Sequence, residues 1–451
     1  MSSGGTCRSE GVTASPVAPP DVIRIARRLE EAGFSAWAVG GAVRDALAGG
    51  HPQDWDLTTS ARPADVQRLF RRTVPVGVEH GTVGVHGHDG RLYEVTTFRR
   101  DVETFGRKAR VAFADTLEED LERRDFTINA VAWHPLTGEI RDPHGGCAAL
   151  QAGVLETVGA PEERFEEDRL RVLRALRFAG RFGLRVEDRT WAAILASADR
   201  LDHLSAERVR EEMYKVLDAL SPAAALRLYE KSGVLAALYP ELQSCVGFRL
   251  PEGYDLWAHL IQTVEAVRPG RRSLRMAALM HDIGRPRTDL RGRAPDQKHA
   301  AAGAASARGV MQRLKASNRE TDYVVHLVAM HSPLPDAAAP DPEIRRWIRS
   351  VGREFLRDLF RLRFADWRGR KGRERPERLL VLWRRSRRLL AEQPALSTTD
   401  LAIGGSELRA IGIPAGPLYG EILRDLLERV TDDPSLNTLE SLSAIVREQL
   451  D

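Results

Sequence analysis

At 451 residues, 43% of them hydrophobic and 29% charged, the chain is long enough for about two to four domains and too apolar for a disordered polymer. No apolar run reaches the ~18 residues that cross a bilayer, so no membrane partner is expected. The three cysteines, Cys7, Cys147 and Cys245, are odd in number and far apart. They point to reduced thiols in a cytoplasmic protein rather than to a disulfide frame or a zinc site.

Residues 1–20, rich in Ser, Gly, Thr and Pro, read as a disordered leader. From Asp21 the pattern is mixed α/β. Ile23, Ile25, Ala26 and Leu29 fall on an early helix. Phe34 to Val39 reads as a buried strand ending at Gly40-Gly41, and Val43 to Leu47 opens a helix. Asp54 to Leu57 reads as a second strand. Thr82 to His86 and Leu92 to Phe98 alternate like an antiparallel pair with a turn at His88-Asp89-Gly90. The segment Arg99 to Arg110 is polar, basic and poorly periodic, and reads as a loop. Beyond about residue 150 strand signals vanish and helical periodicity takes over, cut by Gly183, Pro222, Gly233, Pro240, Pro251, Pro269 and Pro333.

The head carries a pattern suited to phosphoryl chemistry. Asp54 and Asp56 stand at i and i+2, which on a strand puts both carboxylates on one face. Such a pair invites a cation. Mg²⁺ accepts carboxylate oxygens together with substrate phosphates, and two such ions stabilise the attacking and leaving oxygens of an in-line displacement. Glu94, on the next probable strand, is the candidate third carboxylate. Gly40 and Gly41 at a strand-to-helix junction offer backbone N–H groups to a triphosphate, and Arg44 one turn on can add a bidentate contact. An isolated Asp-x-Asp is more often a helix cap or a loop, and it is the combination of elements that gives this one weight.

Gly40-Gly41-Ala42-Val43-Arg44-Asp45, Asp54-Trp55-Asp56, Arg123-Arg124-Asp125-Phe126-Thr127-Ile128-Asn129-Ala130 and Glu167-Asp168-Arg169-Leu170-Arg171 closely resemble the signature blocks of class II tRNA nucleotidyltransferases. These enzymes share the polymerase-β-like superfamily with bacterial poly(A) polymerases. The resemblance implies that Asp54 and Asp56 bind the catalytic metals. It also implies that Arg124, Asp125 and Asn129 position ribose and triphosphate. Asp168 and Arg171, at i and i+3, would share a helix face and read the Watson–Crick edge of the incoming base, with Arg174 beside them. The stretch after Phe98 matches the place of the family's flexible loop, which helps switch the base pocket from C to A. Two departures stand out: Ala149 where the family's hinge usually has Asp, and Glu156 where Arg is expected.

A second constellation lies in the helical part. His259, His281-Asp282 and Asp366 follow the order of the HD phosphohydrolase superfamily, whose four ligands hold a divalent metal. This donor mixture suits a transition metal as well as Mg²⁺. His299 and His331 are candidates to join them or to orient phosphate, and Arg285 replaces the lysine common in that superfamily. A packed His-Asp pair is the alternative reading. Ten arginines from Arg345 to Arg373, interleaved with Trp347, Phe355 and Trp367, suit either an RNA backbone with stacked bases or a solvated helix face.

These readings predict an α+β protein: a polymerase-β-like head with a mixed sheet, then an all-α neck, body and tail with an HD-type domain. The expected divisions are residues 1–20 (leader), 21–150 (head), 151–235 (neck with the nucleotide-selecting helix), 236–370 (HD-type domain) and 371–451 (tRNA-binding body and tail). The expected activity is template-independent addition of C, A or both to the tRNA 3′ end from CTP and ATP. Poly(A) polymerase and an HD-type phosphohydrolase acting on RNA ends are the alternatives. The partners would be the tRNA acceptor arm and the two nucleotides, with Mg²⁺ in the head and a transition metal as a candidate at the second centre.

Overall fold

Ala36-Trp37-Ala38-Val39 is apolar throughout and buried at every position, as befits the middle of a sheet. It forms β1 (Ala36–Val39), antiparallel to β2 (Asp56–Thr59) on one side and to β8 (Ala132–Trp133) on the other. On its far side β2 runs parallel to β5 (Leu92–Thr97). β4 (Thr82–His86), β3 (Thr73–Gly77) and β9 (Ile140–Arg141) complete a seven-stranded mixed sheet in the order β3-β4-β5-β2-β1-β8-β9. The computed structural model describes residues 16–105, 108–250, 253–288, 296–370, 376–392 and 394–449.

Helices α1 (Pro20–Glu31), α2 (Gly41–Leu47) and α3 (Pro63–Leu69) cover the sheet. Val22, Ile25, Ala26 and Leu29 of α1 recur at helical spacing and join Val43, Leu57, Val83 and Val95 in one core. Most of the expected leader, with Cys7, lies outside the described residues. Ala18 is already buried in this core, however, and α1 begins at Pro20, so ordered structure starts before Asp21. The second strand begins at Asp56, so Asp54 precedes it rather than lying on it.

The stretch after Phe98 differs from expectation. It forms an antiparallel hairpin, β6 (Arg99–Phe105) with β7 (Lys108–Phe113), irregular between Asp101 and Glu103. The helical region then follows: α4 (Leu117–Glu122), α5 (Gly146–Gln151), α6 (Pro161–Glu167), α7 (Leu170–Phe182), α8 (Asp188–Ser197) and α9 (Ala206–Asp218). Strands do not vanish after residue 150. β10 (Val154–Leu155) and β11 (Arg185–Val186) pair in parallel, two residues each. Gly183, in the left-handed conformation at φ 66°, ends α7.

The chain divides into two units, Met1–Val216 with Ala224–Leu238, and Leu217–Ala223 with Tyr239–Asp451. The expected head and neck, apart from Leu217–Ala223, fall in the first, and the expected HD-type domain and tail fall in the second from Tyr239 on. The second unit is helical. The longest helices around its buried polar centre are Leu256–Ala266, Asp296–Arg313, Asn318–Met330 and Arg353–Gly369. A separate apolar cluster, including Ile403, Leu408, Leu426 and Val446, forms near the C-terminus.

Candidate active site and a second polar centre

Gly40 leaves β1 with φ 75° and ψ −139°, a conformation that side chains resist. A Cβ there would lie 3.2 Å from Nη1 of Arg124. Glycine therefore leaves room beside the strand end for Arg124 and Asp56. Helix α2 has only seven residues, so its contribution to anion binding comes from free N–H groups more than from a helix dipole.

Asp56 and Glu94 are register partners on the parallel strands β2 and β5, and both line a cleft of about 450 Å³. Trp55 is buried against Trp133, and Asp56, which follows it, turns to the cleft. Asp54 is exposed and is not among the cleft's lining residues. The Asp56 carboxyl, open to the cleft yet walled by protein, is pushed up to about 6 by desolvation and by Glu94, with a smaller push from Asp54 and an opposing pull from Arg124. Crowded carboxylate oxygens of this kind fit a hard divalent cation such as Mg²⁺.

The expected phosphate clamp is organised differently. Arg44 is buried and fully engaged. Its Nε and Nη2 donate to Asp45 at 2.8 and 2.6 Å, and its Nη1 donates to Oδ1 of Asn129 at 2.6 Å. Its guanidinium lies over Phe178 and Phe182, 5.0 and 4.4 Å from their ring centres. Arg44 therefore orients Asn129 rather than offering an empty fork. Asn129 donates to Asp125 at 2.8 Å, and Arg174 donates to the other Asp125 oxygen at 2.7 Å. Burial resists ionisation of Asp125, but Arg174, Asn129 and the Phe126 N–H hold its carboxyl below the usual range. Arg124 reaches Asp120 and the Asn129 carbonyl, both at 3.3 Å.

Asp168 and Arg171 line the same cleft. They do not share a helix face. Asp168 closes α6 in an extended conformation (φ −150°), and α7 starts two residues later. Nor do they pair with each other. Arg208 of α9 holds both Asp168 oxygens, at 3.1 and 2.6 Å. Arg171 is held by Glu167 and by the carbonyls of Arg164 and Arg123. Sequence reasoning missed Arg208 and Asp120. Asp120 had one signal, its place four residues before Arg124 beside the recognised block. Arg208 had none.

In the second unit His259, His281, Asp282 and Asp366 do converge, and His299 and His331 join them, all six buried. His259 lies 3.1 Å from Asp366, and Asp282 lies 3.1 and 3.2 Å from His299 and His331. Two overlapping ligand sets result, His259-His281-Asp282 and Asp282-His299-His331. Gly284 makes this possible, because a Cβ there would sit 2.2 Å from the His299 carbonyl. Nδ1 of His331 faces the Val328 carbonyl at 2.7 Å and Nδ1 of His281 faces the Ala278 carbonyl at 2.8 Å. These contacts place a proton on each Nδ1, and for His331 they leave Nε2 as a lone pair. Burial pushes His331 down to about 4, so it is neutral near pH 7. Two lone-pair atoms, His331 Nε2 and Asp282 Oδ1, then face each other at 3.2 Å, an arrangement a cation reconciles. The donors fit a divalent transition metal. Arg285 is ion-paired with Asp282 at 2.7 Å, and Arg363 and Arg370 donate to Asp366.

Of the arginine run, Arg373 lies outside the described residues, Arg353, Arg357 and Arg368 are exposed, and four others are engaged within the protein. Arg345 donates to the Thr431 carbonyl, Arg346 and Arg349 pair with Glu428, and Arg361 pairs with Asp358. Phe355 packs on His326.

The comparisons with known proteins follow the same geography. The Poly A polymerase head domain matches residues 36–156, a "probable RNA and SrmB- binding site of polymerase A" matches 183–245, and the HD domain matches 258–382. The CCA-adding enzyme of Geobacillus stearothermophilus is 34% identical over 436 residues, 96% of this chain and 98% of that protein. The CCA-adding enzyme of Geobacillus kaustophilus is 42% identical over 273 residues, 57% of this chain and 67% of that protein. Among solved structures, the Bacillus stearothermophilus CCA-adding enzyme in complex with CTP aligns with a TM-score of 0.73 at 31% identity, covering 96% of this chain and 98% of that one. With whole-length likeness of this kind, the chain belongs to the CCA-adding enzymes, a family of tRNA nucleotidyltransferases.

Proposed function

We propose that this enzyme builds the complete CCA end of tRNA, adding C, C and A in turn from CTP and ATP. One observation carries the reading: a single cleft of about 450 Å³ is lined both by the paired carboxylates Asp56 and Glu94 and by the base-reading candidates Asp168 and Arg171. A nucleoside triphosphate held there would set its phosphates against the carboxylates and its base against Asp168 and Arg171. The full-length likeness to proteins named CCA-adding, and the presence of the segment from Arg99 to Phe113, favour the complete CCA over CC or A alone.

Asp56 and Glu94, with Asp54 near enough to act on the Asp56 carboxyl, would hold Mg²⁺, which when bound would activate the attacking hydroxyl and neutralise the leaving charge. The RNA 3′-OH attacks the α-phosphorus of the nucleotide, the bond to the β-phosphate oxygen breaks, and pyrophosphate leaves. Gly40 and Gly41 present backbone N–H groups to the triphosphate. Arg124, Asp125 and Asn129 form the wall against ribose and phosphate, stiffened by Arg44 and Arg174. Asp168 and Arg171 offer a fixed acceptor and fixed donors to the base edge, a protein substitute for a template strand.

The test uses tRNA transcripts ending before CCA, after C and after CC, each with CTP, with ATP and with both. Wild type should carry the first two to CC with CTP alone, complete only the third with ATP alone, and bring all three to CCA with both. Asp56→Ala should abolish incorporation. Extension by C alone or A alone would limit the reading to one half of the task, and incorporation surviving Asp56→Ala would remove the head assignment.

The six buried His and Asp groups favour a second activity, metal-dependent hydrolysis of phosphate esters at RNA ends. Asp282→Ala should abolish phosphate release while CTP incorporation persists. Among the described residues no helix is long and apolar enough to cross a membrane, and we place this chemistry in the cytoplasm, where tRNA is processed.

A further inference from the structure

A cavity of about 690 Å³ in the second unit is lined by Leu334, Pro335, Arg363, Trp367, Arg378 and Leu382, among others. Two links join it to the His/Asp centre. Arg363 lines the cavity and donates to Asp366, and Leu334 follows His331 by three residues. Arg363, Asp366 and Trp367 stand at i, i+3 and i+4 on the helix Arg353–Gly369, so they share one face.

The walls are held before any ligand arrives. Arg385 donates to the Ala337 carbonyl at 2.6 Å, and Arg385 and Arg388 bind Asp341 at 2.5 and 2.6 Å. These contacts fix the segment 334–341 against the helix Pro376–Ala391, which contributes Arg378, Leu379 and Leu382. The chemistry is divided along the cavity. Trp367, Leu334, Pro335, Leu379 and Leu382 offer flat and apolar surface. Arg378 is exposed, whereas Arg363 is mostly covered and has a buried Nε with no hydrogen-bond partner. Asp336 is the one acidic residue in the lining.

We propose that this cavity binds a nucleoside phosphate, with the base against Trp367 and the leucines and the phosphate drawn by Arg363 towards the His/Asp centre. Its volume is that of a ligand pocket, and an aromatic plane with flanking arginines is how proteins hold bases and phosphates when no sequence is read. This inference rests on the hydrolytic reading of the second centre. The nucleoside phosphate has two possible sources, a free mononucleotide or the 3′-terminal residue of an RNA.

The experiment measures phosphate release by the full-length enzyme from p-nitrophenyl phosphate, 3′-AMP and a tRNA transcript ending in a 3′-phosphate. Trp367→Ala and Arg378→Ala should each raise KM for 3′-AMP about tenfold or more, with the effect on KM larger than that on kcat and with partial rescue in Trp367→Phe. If the RNA end is the source, KM for the transcript rises in parallel; if not, only 3′-AMP responds. CTP incorporation serves as the folding check. Unchanged KM for both nucleotide substrates would overturn the proposal. If wild type hydrolyses none of the three, the hydrolytic reading itself fails. Calorimetry with 3′-AMP then decides the cavity: loss of a binding event in Arg378→Ala upholds it, and an unchanged isotherm overturns it.

Discussion

Arg208 holds both carboxylate oxygens of Asp168, at 3.1 and 2.6 Å, while the Leu170 N–H donates to one of them at 3.1 Å. The proposed base-reading acceptor is thereby fixed in orientation from a different helix. A carboxylate accepts and cannot donate, so it suits the amino group of C or A and repels the carbonyl that U or G presents in its place. Arg208→Ala frees Asp168 to rotate. The expected result is a loss of about 10- to 100-fold in kcat/KM for CTP and ATP, or about 1.4–2.8 kcal/mol. Incorporation of UTP should rise relative to CTP in a competition assay. Unaltered selectivity with normal rates would remove Arg208 from the base-reading apparatus.

Gly40 makes a second, local prediction. Its φ of 75° is adverse to a side chain, and an added Cβ would press on Arg124 at 3.2 Å. Gly40→Ala should cost about 1–2 kcal/mol of stability from backbone strain. Its larger effect should be on nucleotide binding, because Arg124 must shift away from Asp120 and the Asn129 carbonyl. KM for CTP should rise more than the fall in melting temperature explains, and a normal KM would show that Arg124 has room to give.

Asp56 sets a pH dependence. Its carboxyl is pushed up to about 6, chiefly by desolvation and by Glu94. The sign follows from the raised value. In metal-free protein the stabilising contribution of protonated Asp56 is full below the ordinary value near 3.8 and is lost as pH rises through about 6. A divalent cation needs the ionised form, so protons compete with it below that point. The apparent Mg²⁺ dissociation constant should rise about tenfold per pH unit below 6 and level off above it. Glu94→Gln should move the break to lower pH. The Mg²⁺ dependence of CTP incorporation between pH 5 and 7.5 tests this, and a dependence indifferent to pH would refute it.

These residues also mark what a sequence discloses. β1, α2 and the β4–β5 hairpin are legible because their burial has a short period and their turns use glycine. Asp56 and Glu94 are legible because a two-residue alternation sets which face each occupies. The break at Asp168 is hidden, since Glu167-Asp168-Arg169-Leu170-Arg171 contains no proline or glycine and reads as continuous helix. β10 and β11 are too short to alternate. The hairpin from Arg99 to Phe113 reads as a loop because its charged residues mask the strand period. The partners of the arginine run, such as Glu428 and Asp432, lie about eighty residues on, a separation no local pattern reports.

Arg177 and Glu212 supply the most severe test of how the base-reading residues are supported. Arg177 of α7 donates to Glu212 of α9 at 2.6 Å with both side chains nearly inaccessible, and Lys215 adds a contact to Glu212 at 2.9 Å. Arg171 and Arg174 lie on α7 six and three residues before Arg177, and Arg208 lies on α9 four residues before Glu212. The pair therefore fixes the register of the two helices that frame Asp168. Burial resists ionisation of Glu212, but Arg177 and Lys215 hold its carboxyl below the usual range. A depressed value means that its stabilising contribution is present above about 4.5 and is lost as pH falls through the lowered value. Glu212→Ala leaves a buried guanidinium unpaired and should cost about 3–5 kcal/mol in the unfolding of the first unit. The double replacement Arg177→Met with Glu212→Leu removes both charges and should recover most of that loss. It should not recover selectivity for CTP over UTP if register depends on the ion pair. Denaturant unfolding and nucleotide competition on the same variants separate the two effects. Full recovery of both would reduce the pair to simple packing.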